Sequence, residues 1–226
     1  MPFYASIIII CKNQKKYLKR SLPIIFKQSF SNFEVILVDS GSKDGSHKLI
    51  KKYPLRLIEI PPEKFNYAYA FNVGAKSANG DYLVRLSGDA VPKDEYWLKN
   101  LIVNFQDEKV AGVYSRWLNN PEANIIDKYV NWLTMPNNKR VFDSIPNWNG
   151  ASGAIRKALW QKYPFNENLD FCEDLDWSRK VQKDGYLIVY EPNSVVYHSH
   201  NEHLWSASVR SFKILRSLLK IYRQKI

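Results

Sequence analysis

The chain has 226 residues, 45% hydrophobic and 24% charged, a composition that excludes a wholly disordered protein. Its 33 Lys and Arg residues outnumber 22 Asp and Glu residues, and the net charge of +11 favours anionic partners: nucleic acid, nucleotide phosphates or a membrane surface. The two cysteines, Cys11 and Cys172, lack CxxC spacing, which favours a reducing compartment over a disulfide scaffold. Because the sequence has neither a signal-peptide pattern nor an apolar run of roughly 20 residues, we expect a cytoplasmic protein, at most peripheral on the inner face of the plasma membrane.

The first ninety residues alternate between short apolar runs and helical patterns. The apolar runs predict strands at 5–11, 33–38, 55–60 and 82–86. Helical spacing of apolar residues begins after Lys12, another helix is predicted at 66–78, and a helix is also expected between the strands at 33–38 and 55–60. This alternation predicts right-handed βαβ units and a parallel sheet.

After Pro92 the alternation loosens. The patterns predict a helix at 94–105, a strand at 110–114, a helix at 173–183 and strands at 187–190 and 195–197. Between them, residues 118–146 are polar, aromatic and irregular, which is typical of a binding loop or lid.

Residues 204–226 predict a basic amphipathic helix. Its apolar stripe contains Trp205, Val209, Phe212, Leu215, Leu219 and Tyr222. Its basic face contains Arg210, Lys213, Arg216, Lys220 and Arg223. Such a helix lies in a membrane interface, or packs on the domain with a solvated basic face, and both interpretations stay open.

Two carboxylates follow predicted strands. Asp39 precedes a Ser/Gly turn, where it could accept hydrogen bonds from a ribose or a base edge, or cap the turn. Asp89 ends the turn Ser87-Gly88-Asp89 after the strand at 82–86. An oxygen ligand at this edge suits Mg²⁺ or Mn²⁺, which neutralises a diphosphate, although Asp89 also suits a helix cap.

Three acidic residues, Glu173, Asp174 and Asp176, crowd at the start of a predicted helix. Acidic residues favour helix N-termini, so this position alone explains them. Alternatively, like charges beside the aromatic stretch 165–172 raise a carboxylate pKa, which produces a general base.

Three of the four histidines, at 198, 200 and 203, directly follow the last predicted strand. They form a surface cluster, or one of them completes a metal site with Asp89. Their spacing matches no zinc motif.

Together these motifs resemble the family-2 glycosyltransferases of the GT-A fold, and within them the bacterial rhamnosyltransferase-like branch of surface polysaccharide assembly. The resemblance covers about residues 5–203. It depends on the order of segments 6–10 with Asn13, 38–46, 65–66 with Asn72 and Gly74, 87–92, 173–174, 190–192 and 196–198.

The resemblance implies an α/β fold of the GT-A type, with a Rossmann-like mixed, mainly parallel sheet flanked by helices and a C-terminal amphipathic helix. It implies a glycosyltransferase domain at 1–203, followed by the basic helix at 204–226. Within the domain, residues 1–115 would bind the nucleotide sugar and residues 116–203 would carry the acceptor and catalytic half.

The family roles transfer position by position. The residues implied for donor binding are Asp39, Asn13, Asn72, Ser87 and Asp89. The resemblance implies a divalent metal, Mg²⁺ or Mn²⁺, with Asp89 and His198 as its protein ligands. His200 is the second candidate for the histidine ligand. Ser87 departs from the first Asp of the family's DxD motif, which puts the strength of metal binding in question.

The implied catalytic pair is Glu173 and Asp174, with Asp174 as general base. The role of Arg85, where most members of this branch have an uncharged residue, stays open.

The resemblance therefore implies an inverting glycosyltransferase that moves a sugar, with rhamnose suggested by the branch, from a nucleoside-diphosphate donor to a hydroxyl of a glycan or polyprenyl-linked saccharide. The alternative is a catalytically weak or inactive GT-A-like domain that binds a nucleotide or a partner. We expect no nucleic-acid partner, because the sequence has no RRM, zinc-finger or helix-turn-helix signature and its basic residues are spread along the chain.

Overall fold

The computed structural model describes residues 4–120, 128–129, 134–144, 150–198 and 204–223, without the side chains of 204–208, 210 and 211. Strands in this part of the chain form one sheet. They are β1 Ala5–Cys11, β2 Phe33–Asp39, β3 Arg56–Glu59, β4 Tyr82–Ser87, β5 Val91–Pro92, β6 Val110–Leu118, β7 Arg140–Phe142, β8 Ser152–Arg156 and β9 Leu187–Tyr197. The helices are α1 Lys15–Ile25, α2 Ser46–Ile50, α3 Tyr67–Ser77, α4 Trp97–Ile102, α5 Lys157–Lys162, α6 Glu173–Lys183 and α7 Leu204–Arg223.

The sheet is mixed, as predicted. Its order is β3-β2-β1-β4-β8-β6-β9-β5, and β7 pairs with β9. The strands of the first ninety residues pair in parallel, with β1 between β2 and β4 and with β3 beside β2. The second half adds antiparallel pairs through β8, β7 and β5, although β6 and β9 are parallel. One sheet therefore joins the two halves of the predicted domain.

Helices cover both faces of the sheet because alternate residues of β1 point to opposite sides. Ile7 and Ile9 belong to a core that includes α1 and α4 residues, and Ile8 and Ile10 belong to a second core with α3 and α6 residues. All seven β1 residues are buried, as a strand between two helical layers requires. A Cβ at Gly74 of α3 would lie 2.6 Å from Ile8 Cγ2, so glycine permits this close helix–strand approach.

Several boundaries differ from the sequence prediction. The helix expected at 94–105 begins later, as α4 at Trp97, because Asp94 accepts a hydrogen bond from the amide of Tyr96 before the helix starts. It is followed by a 3₁₀ turn at Val103–Gln106. The strands expected at 187–190 and 195–197 are one strand, β9, whose register against β6 shifts opposite Ser115 and Arg116. The short elements β5, β7, β8 and α5 were not predicted. The irregular segment 118–146 lies partly outside the described residues, so its role as a lid stays a prediction.

Candidate active site

The carboxyl ends of β1, β2 and β4 meet at one edge of the sheet. The amide of Ser40 donates to Cys11 O at 3.0 Å, and the amide of Gly88 donates to Ile10 O at 2.8 Å. A Cβ at Gly88 would lie 2.7 Å from that same carbonyl oxygen, so the turn after β4 approaches β1 as closely as glycine alone permits. Ligands bind at this edge in open α/β sheets.

Asp39 is completely buried at this edge and is held by a network of donors. Its carboxylate accepts hydrogen bonds from the amides of Gly41 and Ser42, from the Ser42 hydroxyl and from His47 Nε2 at 3.0 Å. Burial by itself raises the pKa of Asp39, but the bonds from Ser42, His47 and Gly41 outweigh it and hold the pKa below its ordinary value. Asp39 is therefore a fixed anion beside the turn.

Asn13 clamps the same turn from the end of β1. Its backbone, at a φ of 55°, directs its amide to the Ser42 hydroxyl at 2.7 Å, while its side-chain oxygen accepts from the amide of Lys43 at 2.7 Å. Asn tolerates this left-handed conformation better than most residues. The predicted donor residues Asn13 and Asp39 thus shape one loop together.

His47 and Glu59 stand beside Asp39, and sequence reasoning missed both. His47 Nε2 lies 3.0 Å from Asp39 Oδ2 and 3.6 Å from Glu59 Oε1, and ligating atoms of all three side chains lie within 4.8 Å of one another. The only sequence signal was a histidine eight residues after Asp39, and that spacing matches no metal motif. Because Asp39 already accepts several hydrogen bonds, this group is a weaker cation site than an open carboxylate would be.

Ser87, Asp89 and His198 come together at the end of β4. Asp89 Oδ1 accepts from the Ser87 hydroxyl at 2.5 Å and lies 3.3 Å from Nδ1 of the buried His198. The amide of His198 donates to Leu118 O, which fixes the residue directly after β9. A carboxylate, an imidazole and a hydroxyl fit Mn²⁺ or Mg²⁺, with other positions left for phosphate oxygens and water. His200 and His203 lie outside the described residues.

Glu173 and Asp174 begin α6, as predicted, but their surroundings differ. Glu173 is buried, and its Oε1 accepts from Arg85 Nη1 at 2.7 Å, so it forms an ion pair rather than facing a ligand. Asp174 is partly exposed. Its two oxygens accept hydrogen bonds from the amides of Gly150 at 3.1 Å and Leu175 at 2.8 Å.

The environment of Asp174 makes it a weaker acid. Burial raises its pKa to about 6, the charge of Glu173 adds to the rise, and the Arg85 guanidinium opposes it. Cys172, just before the pair, has a φ of 63°, a strained conformation for a residue other than glycine. Burial also raises the pKa of the Cys172 thiol to about 12, so the thiol is neutral at physiological pH.

Asn72 does not share the contacts of this edge. Its side-chain nitrogen donates to Phe165 O and to Glu167 Oε1, both at 2.8 Å, and its oxygen accepts from Trp160 Nε1 at 2.9 Å. These bonds join α3 to the segment that precedes α6, on the same face of the sheet. The prediction that Asn72 binds the donor stays a prediction.

Hydrogen bonds from backbone amides connect the Ser87–Asp89 turn to the Asp174 side chain. The amide of Ser87 donates to Ala151 O at 2.9 Å, and the neighbouring residue Gly150 donates to Asp174. The short segment before β8 therefore touches the β4 turn on one side and the start of α6 on the other. The cluster of Ser87, Asp89 and His198 and the weakly acidic Asp174 carboxylate are therefore connected at one edge of the sheet.

A mixed, doubly covered sheet with such an edge defines an α/β protein of the GT-A type. The model of the glycosyl transferase family 2 matches residues 6–149, well over half of the chain, and the chain therefore belongs to that family. Among curated relatives, the O-antigen chain rhamnosyltransferase RfbN of Salmonella typhimurium is 26% identical over 87% of this chain and 66% of its own length. The WbaN rhamnosyltransferase of Salmonella anatum is 27% identical over 77% of this chain and 59% of its own length. The chain thus spans about two thirds or less of these relatives.

Solved structures agree on the fold. The mannosyltransferase PcManGT from Pyrobaculum calidifontis, in complex with GDP-Man and Mn²⁺, superposes with a TM-score of 0.75 at 20% identity, over 99% of this chain and 64% of that one. Staphylococcus aureus TarS in complex with UDP-GlcNAc gives a TM-score of 0.67 at 19% identity, over 88% and 59%. Among the described residues, Asp39, His47 and Glu59 form a group whose donor atoms are of the kind that bind a divalent metal. Among the helices that the structure describes, none is long and apolar enough to cross a membrane.

Proposed function

We propose that this protein transfers a sugar from a nucleoside-diphosphate donor to a hydroxyl of a saccharide acceptor, with inversion at the anomeric carbon. The observation that carries the proposal is Asp174, a desolvated carboxylate with a pKa raised to about 6, which hydrogen bonds connect to the Ser87–Asp89 turn through the segment 150–151. A base near the operating pH suits proton removal from a sugar hydroxyl.

The donor nucleotide would lie at the ends of β1 and β2. Asp39 is fixed as an anion there, and an anion in this position accepts N–H or O–H groups of a base or ribose. Asn13 and Ser42 hold the loop that surrounds it. His47, 3.0 Å from Asp39, would orient its carboxylate.

The diphosphate would lie at the end of β4. Asp89 and His198 would hold the divalent cation, Mg²⁺ or Mn²⁺, with the Ser87 hydroxyl beside them. When bound, such a cation offsets the negative charge that develops on the leaving diphosphate. We place it here rather than at Asp39, because the Asp39 oxygens are already occupied by hydrogen bonds.

The acceptor hydroxyl would approach Asp174 from the side opposite the leaving group. Asp174 would take the hydroxyl proton while the oxygen attacks the anomeric carbon and the bond to the diphosphate breaks. The amides of Gly150 and Leu175 keep its two oxygens oriented during this step. Glu173, paired with Arg85, would take no part in the proton transfer.

The relatives suggest which substrates to try. RfbN and WbaN are named O-antigen chain rhamnosyltransferases, so a deoxysugar nucleotide and a polyprenyl-linked or free glycan are the first donor and acceptor to test. The lower affinity expected from Ser87, in place of a second carboxylate, would make the activity sensitive to metal concentration.

One experiment tests the proposal. A panel of nucleoside-diphosphate sugars is incubated with the protein, with Mn²⁺ or with EDTA, and release of nucleoside diphosphate is measured with and without acceptor saccharides. We expect one donor class to be used, and only with metal. Failure of every donor in the panel, in a protein that shows a cooperative thermal melt, would contradict the proposal.

We also propose that α7 attaches the protein to an anionic membrane. Its side chains Val209, Phe212, Leu215, Leu219 and Tyr222 are exposed, Phe212 at 69%. The basic residues Lys213, Arg216 and Arg223 are exposed on the same helix. An exposed apolar stripe flanked by positive charge suits the interface of an anionic bilayer, where a lipid-linked acceptor would be found.

A further inference from the structure

A buried arginine stands in the centre of the sheet. Arg85 lies on β4, two residues before Ser87, between Val84 and Leu86, which are fully buried. Arg85 itself is 6% exposed. Removing a guanidinium from water costs several kcal/mol unless it is paired and hydrogen-bonded, so a residue of this type at this position needs a reason.

The contacts of Arg85 point to the start of α6. Its Nη1 donates to Glu173 Oε1 at 2.7 Å, and its Cζ lies 5.6 Å from the centre of the Tyr67 ring. A Cβ at Gly150 would lie 2.6 Å from the same Nη1, so the guanidinium fills the space against the glycine whose amide donates to Asp174. Its Nε has no hydrogen-bond partner in the described parts of the chain.

We propose that Arg85 is a positioning residue of the acceptor site: it binds Glu173 as its counter-ion and packs against Gly150, so that Asp174 alone of the acidic pair takes the acceptor proton. This inference rests on the proposed function, because it assigns the groups that prepare the same carboxylate.

The groups around Asp174 predict the direction in which its pKa should change in each variant. Those that face it are the carboxylate of Glu173, the guanidinium of Arg85, the neutral thiol of Cys172 and the amides of Gly150 and Leu175. Glu173 raises the pKa of Asp174 and Arg85 lowers it. Loss of Arg85 should therefore raise that pKa, and loss of the Glu173 charge should lower it.

Charge variants test these signs. In Arg85→Met, two carboxylates lose their counter-charge, so the acidic limb of the rate profile should move up by about one pH unit. In Glu173→Gln, an unpaired guanidinium remains, so the limb should move down by a similar amount. The double variant, Arg85→Met with Glu173→Gln, should return towards the wild-type profile, which a merely structural role would not produce.

A second readout needs no substrate. The Asp174 carboxyl carbon is followed by NMR as a function of pH in the protein without donor, and its signal is assigned by its loss in Asp174→Asn. The same opposite shifts are expected. Arg85→Lys, which keeps the positive charge, should titrate close to wild type. Arg56→Met is the matched control, since Arg56 is exposed on β3 and lies 3.6 Å from Glu34.

The outcomes separate the two proposals. Equal Asp174 titrations in wild type, Arg85→Met and Glu173→Gln would overturn the role of Arg85, whatever the activity. If a thermal melt shows that Arg85→Met does not fold, the test rests on Glu173→Gln and Arg85→Lys. An Asp174 pKa that is unchanged or raised in Glu173→Gln would then overturn the role of Arg85. Absence of sugar transfer by the wild-type chain would instead contradict the proposed function.

Discussion

Two adjacent carboxylates, Glu173 and Asp174, acquire different properties from their surroundings. Both begin α6, and the helix N-terminus favours negative charge on each. Glu173 is neutralised by Arg85 at 2.7 Å, whereas Asp174 is desolvated and has amides as partners. Burial and the adjacent Glu173 charge raise the pKa of Asp174, which is the pattern of a residue prepared to act as an acid or base.

The first prediction concerns Asp174→Asn. The change should lower turnover by about two to four orders of magnitude, the usual contribution of a general base. It should leave nucleoside-diphosphate affinity unchanged, because in the proposed mechanism Asp174 contacts the acceptor and not the donor. In the wild type, turnover should fall about tenfold per pH unit below about pH 6, where Asp174 takes up its proton. Steady-state rates across pH check both points.

Asp170→Asn is the matched control, since Asp170 is exposed four residues earlier. It should keep the wild-type rate and profile. A loss of donor affinity in Asp174→Asn with turnover of bound donor preserved would place the residue in the donor site instead.

The second prediction concerns Asp89→Asn. The amide is a poor cation ligand, so the variant should lose the part of donor affinity that depends on Mn²⁺ and keep its melting temperature. Calorimetric titration of nucleoside diphosphate with and without Mn²⁺ measures this part. Asp81→Asn, an exposed change just before the other end of β4, should behave as wild type. The metal role fails if wild type itself binds equally well with EDTA.

At the scale of single residues, the sequence predicted which residues belong to the site better than it predicted which side chains contact them. Asp39, Asp89 and Asp174 stood out because each follows a strand or begins a helix, and these local signals survive folding. The Arg85–Glu173 pair spans 88 residues, and Asn72 is joined to Phe165 across 93, so no local pattern could reveal either. His47 was overlooked because its partner, Asp39, is separated from it by a turn rather than by helical spacing.

Among the elements, the turn between β4 and β5 determines where the site can form. Gly88 donates to Ile10 O at 2.8 Å, and Ala90 donates to Ser87 O at 2.9 Å, so the turn is closed on itself and attached to β1. Asp89 is thereby placed within 3.3 Å of His198, which comes from the far end of the chain. The site thus depends on backbone contact between strands as much as on its side chains.

The third prediction therefore concerns Gly88→Ala. Its Cβ would lie 2.7 Å from Ile10 O and 3.2 Å from Cys11 Cα, both backbone atoms that cannot give way. The turn must shift, at a cost of about 1–3 kcal/mol, and the Mn²⁺-dependent affinity for nucleoside diphosphate should fall with it. Chemical denaturation and calorimetry measure the two effects.

Gly185→Ala provides the comparison. Gly185 has a φ of 83°, and its Cβ would meet nothing within 4 Å, so the substitution strains the backbone without touching the site. It should lower stability and leave Mn²⁺-dependent binding intact. Equal losses of binding in both glycine variants would mean that stability, not the turn, is being measured.

Element prediction succeeded where periodicity was local. The parallel strands of the first ninety residues contain apolar runs and were found within a residue or two. The strand β8 was missed because Ser152, Gly153 and Ala154 have little strand propensity, and their pairing with β4 is a tertiary effect. The register shift of β9 opposite Ser115 and Arg116 likewise comes from its neighbour β6.

At the scale of the whole molecule, α7 has two different faces. One face is attached to the domain: Ser217 and Ile221 are buried, the Ser217 hydroxyl accepts from the amide of Phe171, and Arg179 lies 4.3 Å from the Tyr222 ring centre. The predicted apolar stripe is exposed from Val209 to Leu219, whereas Tyr222, its last member and 47% exposed, borders the domain at Arg179. The side chain of Trp205, placed in that stripe by the sequence, is outside the described residues. The packed-helix interpretation therefore explains one face of α7, and the membrane interpretation concerns the other.

The last prediction uses this separation of faces. Replacing Lys213, Arg216 and Arg223 with Gln should reduce binding to anionic vesicles by about 100-fold, since each basic residue near such a surface contributes on the order of 1 kcal/mol. Added salt should weaken wild-type binding in the same way, because it screens these charges. Co-sedimentation with vesicles of phosphatidylserine and phosphatidylcholine measures both effects.

The matched control removes the same charge from exposed positions of α1, with Lys16, Lys19 and Arg20 changed to Gln. It should keep vesicle binding if α7 is the contact, whereas an equal loss would mean that net charge alone attracts the protein.

Two further variants test the two faces of α7 separately. Ile221→Ser should lower the melting temperature, because Ile221 is only 7% exposed. Phe212→Ser should leave the melting temperature unchanged and weaken vesicle binding, because Phe212 is exposed. Wild-type protein that stays in solution with anionic vesicles at low salt would rule out attachment through this helix.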